Sequence, residues 1–340
     1  MDNKITKSRL ANLLSYDWVK ICAVIVAVCF VWVLAYTIGA PRASVGQVFG
    51  LLTYAPDFEV AESGTELLGD AESHGAFSYD ILDFNTRDMP KDYYSTLMMA
   101  ADSVQEGDVF ITSDFAETIK KNESPLRTFI DGYYGRVYNI DLLISDAKEY
   151  ARKNGIIQNT DGTYGCDKTV TDSLFSSRME KDPRFRDKNS KKYAEGQQNE
   201  YERIIAVWNN ACKAEKLLEE HPELRINYRP FTQTLEAMGE EEREKSEYYK
   251  VWLEQKELTY AINLGKLTGG ANNITDLYAR TITPEDGEPY LSADGVALCV
   301  FDYAAFQPHL QYETLGYIVY MAETYSNFLT VQPENLVVNK

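Results

Sequence analysis

The sequence predicts a mixed α/β protein behind a membrane span, and three observations carry that expectation. Residues 21–40 (ICAVIVAVCFVWVLAYTIGA) contain no charge. Residues 79–115 (YDILDFNTRDMPKDYYSTLMMAADSVQEGDVFITSDF) read strand-like, then helix-like, then strand-like. Residues 193–258 carry helical periodicity, after which strand-like text returns at ALCVFDY.

At about 1.5 Å per residue, the uncharged run reaches roughly 30 Å, the thickness of a bilayer's hydrocarbon core. A helix buried in a soluble core rarely stays apolar on every face for that length. The apolar region of a cleaved signal peptide is usually shorter. The best cleavage candidate, Ile38-Gly39-Ala40, is followed by Pro41, which makes a poor scissile bond. A retained anchor is therefore expected over residues 21–40. Lys4, Lys7, Arg9 and Lys20 outweigh Asp2 and Asp17 on its amino-terminal side. The positive-inside rule then places residues 1–20 in the cytoplasm and the bulk of the chain outside, in a single-pass cell-membrane protein.

The 340 residues hold 34 Lys+Arg and 52 Asp+Glu. Subtracting the four basic and two acidic residues of the first 20 leaves 30 and 50, a net of −20 beyond the anchor. A surface this acidic repels phosphate backbones, which argues against nucleic acid as a partner. Outside the anchor there are three cysteines, Cys166, Cys212 and Cys299. They are widely spaced with no CxxC, a pattern of isolated buried thiols more than of a disulfide framework, with one bridge among them left open.

Along the exported chain, Gln47 to Tyr54 reads as a strand and Thr65 to Ser73 as a helix ended by His74-Gly75. Tyr79 to Phe84 alternates and reads as a strand, Asn85 to Asp88 as a polar turn, and Pro90 as the first turn of a helix. That helix carries Leu97, Met98, Ala101 and Val104 and stops at Glu106-Gly107, before a buried strand at Asp108 to Ser113. A short helix around 115–121, a strand at Arg136 to Ile144 and a helix at 146–153 complete an α/β lobe over 45–155. Residues 156–258 read as a helical lobe or insertion, with long helices at Tyr193 to Glu220 and Thr232 to Leu258. Residues 259–340 return to the α/β lobe, with strands at Tyr260 to Leu264 and Ala297 to Tyr303 and a closing helix over 312–329.

The pieces YDILDF, NTRD, YYSTLMMAADSVQEG and DVFITSDF, followed by NIDLLISDAKEYA and the closing QYETLGYIVYMAETYSNFL, resemble the bacterial extracellular solute-binding proteins of the ABC-transporter type. The resemblance implies a periplasmic-binding-protein-like (type 2) α/β domain with a mostly helical second lobe. It also implies capture of a small polar, sugar-like solute for an ABC permease. An anchoring helix stands where that family commonly has a lipoprotein cysteine, and the helical middle departs from a second α/β lobe. A non-catalytic envelope scaffold that keeps the fold without a ligand is the alternative.

In a doubly wound sheet, ligands bind beyond the carboxyl ends of the parallel strands. That rule selects Tyr54, then Asn85, Thr86 and Arg87, then Ser113 and Asp114 as candidate ligand-binding residues. Asn85 to Arg87 can equally cap the following helix. Trp208 and Trp252 sit on apolar helix stripes and read as core. His74, His221 and His309 are scattered, with no HExxH or GxSxG pattern, so no catalytic residue, metal site or cofactor is expected. The loop NTDGTYGCD lacks the acidic ends of an EF-hand and reads as a turn.

Overall fold

The computed structural model describes residues 18–39, 47–104, 106–284, 286–302 and 312–337. The expected cytoplasmic segment, residues 18–20 excepted, and His309 lie outside them. The chain divides into two compact units, 1–44 and 45–340. In the first, helix α1 (Trp18–Gly39) covers most of the uncharged run. Its side chains are described at 18–20 and 22–34, and all of these are exposed. Among the described residues, no helix is long and apolar enough to cross a membrane, so the expected span rests on the sequence run alone.

The second unit is built on a six-stranded sheet whose elements come from the whole length of the unit. Strands β1 (Val48–Thr53), β3 (Asp83–Asp88) and β4 (Val109–Ser113) are parallel, with β1 in the middle. Helix α2 (Gly64–Ser73) follows the two-residue β2 (Glu59–Val60), and helix α3 (Tyr94–Val104) links β3 to β4. Helices α4 (Ala116–Lys120), α5 (Pro125–Gly132) and α6 (Ile140–Lys153) come next, then the hairpin β5 (Ile156–Gln158) and β6 (Tyr164–Cys166). Helices α7 (Lys168–Arg178) and α8 (Lys191–Glu220) lead to strand β7 (Arg225–Tyr228). Three short helices follow, α9 (Thr232–Glu236), α10 (Glu240–Lys245) and α11 (Glu247–Glu254). The chain ends with β8 (Leu258–Asn263), β9 (Tyr278–Ile282), β10 (Tyr290–Ser292), β11 (Val296–Val300) and α12 (Glu313–Tyr325). The main sheet runs β3-β1-β4-β11-β8-β7 with its second half antiparallel, and β10-β9-β2 form a small sheet beside it.

Alternation along the central strands divides the interior in two, as a period of two requires. Phe49, Leu51, Val109, Ile111, Val296, Leu298 and Val300 face a larger core that includes α2, α6, α8 and α12. Leu52, Phe110, Ala297 and Cys299 face a smaller one closed by α3 and α5. The result is an α/β/α stack with a thick helical layer on one side and a thin one on the other.

Four expectations are corrected. The strand expected at 79–84 begins at Asp83 and runs to Asp88, so the expected turn Asn85–Asp88 is itself strand. The reason is that Tyr79 and Asp80 are drawn off the sheet: the Tyr79 hydroxyl donates to Glu200 and Asp80 is ion-paired with Arg178. The strand tolerates polar residues on both faces because it is a sheet edge. The strand expected at 136–144 is reduced to a single bridge at Val137, and from Ile140 the chain is α6, because Asn139 caps it by accepting from the Leu142 N–H at 2.8 Å. Its apolar set, Ile140, Leu143, Ile144, Ala147 and Ala151, fits a helical period. The helix expected over 232–258 is three short ones, restarted at Gly239 and at Ser246, whose hydroxyl accepts from the Tyr248 N–H. Finally, residues 156–258 hold three strands that sequence reading missed: β5 and β6 form a hairpin, and β7 is hydrogen-bonded to β8 at the edge of the main sheet, inside the same compact unit 45–340.

Candidate functional site

The six residues selected from the sequence do not converge on one site. Tyr54 follows β1, and its ring stacks on Tyr94 at 4.1 Å. Asn85, Thr86 and Arg87 lie within β3 and not beyond its end. Asn85 and Arg87 share one face, where both engage Glu106, the Arg87 ion pair measuring 2.9 Å. Thr86 faces the opposite way and meets the Thr65 hydroxyl at 3.0 Å. The Ser113 hydroxyl donates to Asp57 at 3.3 Å. Asp114 is buried, accepting from Arg127 Nε at 3.0 Å and from Ser124, the residue that caps α5. Of the six, Tyr54, Ser113 and Asp114 lie at the carboxyl end of the sheet, where Tyr54 meets α3 and Asp114 is fastened to α5.

A polar pocket of about 250 Å³ lies at the other end of the parallel strands. One wall is the loop Gly75–Tyr79 that leads toward β3, and another is the α8 face carrying Asn199, Glu202, Arg203 and Asn210. Tyr312 and Glu313, at the start of α12, form the third. The walls meet closely at Gly316, where an added Cβ would lie 2.0 Å from the Ala76 carbonyl oxygen and 3.2 Å from the Asn210 amide nitrogen.

Behind this pocket is a buried network of charge. Arg203 forks onto Glu200, with Nε at 3.1 Å and Nη2 at 2.9 Å, and also donates to the Tyr150 hydroxyl at 2.7 Å. Arg178 joins the same Glu200 to Asp80, and Tyr79 donates to Glu200 at 2.9 Å. Burial alone would push the Glu200 carboxyl up, but the two guanidiniums overturn that and hold it down at about 2. Two guanidiniums and two carboxylates, Asp80 and Glu200, balance one another, as burial of charge demands.

Glu313 is a third buried carboxyl in the same place. Both the Ser78 N–H (3.0 Å) and the Ser78 hydroxyl (2.7 Å) donate to it. Burial raises its pKa despite those bonds and the nearby Arg203. Asp108, just ahead of β4, accepts from the Gly50 N–H at 2.7 Å. Its carboxyl is enclosed although the residue keeps some accessible surface; burial pushes it up to about 7, the Gly50 bond pulls it back, and Glu313 adds to the rise. The pocket therefore sets the Arg203 guanidinium and the Glu313 carboxyl, whose pKa burial raises, beside Glu202 and the amides of Asn199 and Asn210. Such walls can hydrogen-bond a small, neutral, hydroxyl-rich molecule from several directions.

Sequence reasoning missed this set, yet α8 carried a signal. Gly196, Glu200, Arg203 and Val207 recur at helical spacing on the buried face, so a Glu–Arg pair three residues apart occupies core positions. Buried charges are rare unless paired. Of the other residues weighed, Trp208 is buried, its indole N–H donating to the Asn335 carbonyl at 2.8 Å. His221 stacks on Phe328 at 3.6 Å beside Glu223. NTDGTYGCD includes the turn of the β5–β6 hairpin, with the Thr163 N–H bonded to Asp161 at 2.9 Å. Cys166, Cys212 and Cys299 are free thiols, the last two buried. Among the described residues, no group of three or more potential metal ligands occurs. The chain matches no family model, no curated protein and no solved structure.

Proposed function

We propose that this protein is a membrane-tethered extracytoplasmic domain that captures a small polar, sugar-like solute and passes it, or reports it, to a membrane partner such as an ABC permease. The tether is the uncharged run 21–40, with the basic flank of residues 1–20 on the cytoplasmic side. The observation that carries the solute reading is the pocket at Ser78, Asn199, Asn210 and Glu313. Its volume, about 250 Å³, lies just under the roughly 300–1,000 Å³ of ordinary ligand pockets. The resemblance of residues 79–115 to solute-binding proteins supports the same reading, although the pocket lies at the opposite end of the strands from Ser113 and Asp114. The domain acts by binding and not by catalysis.

The test is a thermal-shift screen of the full chain in detergent against sugars, polyols, amino acids and short peptides. A solute of the right class raises the melting temperature in proportion to the logarithm of its concentration. Asn210→Leu, which replaces a pocket amide, abolishes the response. A screen in which no solute raises the melting temperature sinks the proposal. Alkaline carbonate washing tests the tether: the chain stays with membranes, and release of a shortened soluble form refutes the anchor.

The alternative is a non-catalytic envelope scaffold. It is favoured by the internal pairing of Asp114 with Arg127 at the carboxyl end of the sheet, where a solute-binding fold would take its ligand. Recovery of a crosslinked envelope protein with no solute response supports this reading over the first.

A further inference from the structure

A second cavity, of about 320 Å³, lies among α9, α10 and α11, and no residue of the solute pocket lines it. One wall is aromatic: the rings of Tyr249 and Trp252 lie nearly parallel, 13° apart, with centroids 6.0 Å apart. The indole N–H donates to the Thr232 hydroxyl at 2.9 Å, and the Trp252 backbone carbonyl accepts from Arg229 Nε at 2.9 Å. The Arg229 guanidinium also sits over the indole at 3.5 Å, so this ring already holds one cation on a face. Arg229 does not line the cavity.

The remaining wall is acidic, with Glu236, Glu240 and Glu244 against the single cation Arg243, a net of −2. Among the described residues none of these four is in an ion pair, and Arg243 Nε is directed to the Leu235 carbonyl at 3.0 Å. Elsewhere in the domain carboxylates as exposed as Asp141 and Glu117 have found arginine partners. An aromatic wall fixed in orientation, facing three carboxylates without counter-ions, has the composition that favours an organic cation. The rings attract it through their quadrupoles, and the carboxylates accept its N–H bonds.

We propose that this cavity binds an alkylammonium or guanidinium group. The source is either a lysine or arginine side chain of a partner polypeptide or a free polyamine. The inference does not depend on the solute pocket, because the two cavities share no residue.

Calorimetric titration of the full chain in detergent at low salt separates the sources, with spermidine as one probe and a short acetylated, amidated lysine–arginine peptide as the other. Binding of the peptide and not spermidine assigns the site to a partner protein; the reverse assigns it to a free amine. The E236Q/E240Q/E244Q triple variant weakens the productive probe by about tenfold or more, and Trp252→Leu weakens it while Trp252→Phe restores most of the affinity. The control is E241Q/E242Q, which removes two charges from α10 without touching the cavity lining. Equal weakening by that control shows that binding reflects only the acidic surface and overturns the site. Failure of both probes to bind, or equal binding of an acetylated-lysine peptide, also overturns it. Circular dichroism of each variant separates loss of binding from loss of folding.

Discussion

Replacing Asp108 by asparagine should stabilise the protein, and by an amount that depends on pH. The carboxyl is pushed by burial from its usual 3.8 to about 7, with Glu313 adding to the rise. An acid whose pKa is raised by folding keeps its proton in the folded state at pH values where the unfolded chain has released it. Its contribution is therefore most favourable below about pH 4, is lost as pH rises through about 7, and is constant beyond. The displacement is 7 − 3.8, or 3.2, and at 1.36 kcal/mol each it amounts to about 4 kcal/mol as an upper figure. Asparagine keeps an oxygen for the Gly50 N–H, so the hydrogen bond that positions the start of β4 survives. Urea unfolding of wild type and D108N at pH 4.5, 6, 7 and 8 checks this. The difference is expected to be smallest at pH 4.5 and to widen in favour of D108N as pH rises to about 7. A stability difference that stays the same from pH 4.5 to 8, or a D108N protein that is the weaker at pH 8, refutes the reasoning.

The opposite sign holds for Glu200, whose carboxyl is held at about 2 by Arg203 and Arg178. Its stabilisation is present above its ordinary value of 4.5 and is lost as pH falls toward 2. Glu200→Gln leaves both guanidiniums undercompensated and should cost about 3–5 kcal/mol at pH 7, read as a shifted urea midpoint, with the deficit shrinking in acid. Gly316→Ala places a methyl group against the Ala76 carbonyl and should cost about 1–3 kcal/mol. Because that contact joins two walls of the solute pocket, the variant should also show a smaller solute-dependent thermal shift; a full response in a destabilised protein would mean the walls are not coupled there.

Much of the fold was legible because the core elements obey one period each. The strands at 48–53, 109–113, 258–263 and 296–300 and the long helix at 191–220 fall within a few residues of where the alternation and the apolar stripe of Ile204, Ile205, Trp208 and Cys212 put them. The errors occur where a polar residue decides an element. RVYNIDLLI has the composition of a strand, but Asn139 can cap a helix, and the buried set after it follows a helical period. NTRD has the composition of a turn, but as part of an edge strand it pairs with β1 on one side only and needs no apolar face. Arg225–Tyr228 is four residues long, too short for a period to register against the helices around it.

The candidate site was less legible because it rests on distant pairings that no window of sequence contains. Asp80, Arg178 and Glu200 meet across separations of 98 and 22 residues, and Ser78 reaches Glu313 across 235. The rule that ligands lie beyond the carboxyl ends of parallel strands assumes an open crevice there. Here β11 pairs antiparallel with β4, and Asp114, Arg127 and Ser124 fasten the carboxyl end to α5. The same antiparallel return carries the chain from β11 to α12 at the amino-terminal end of β3 and β4. That return brings Glu313 to Ser78 and to the charges of α8, so the topology closes one end of the sheet and opens the polar pocket at the other.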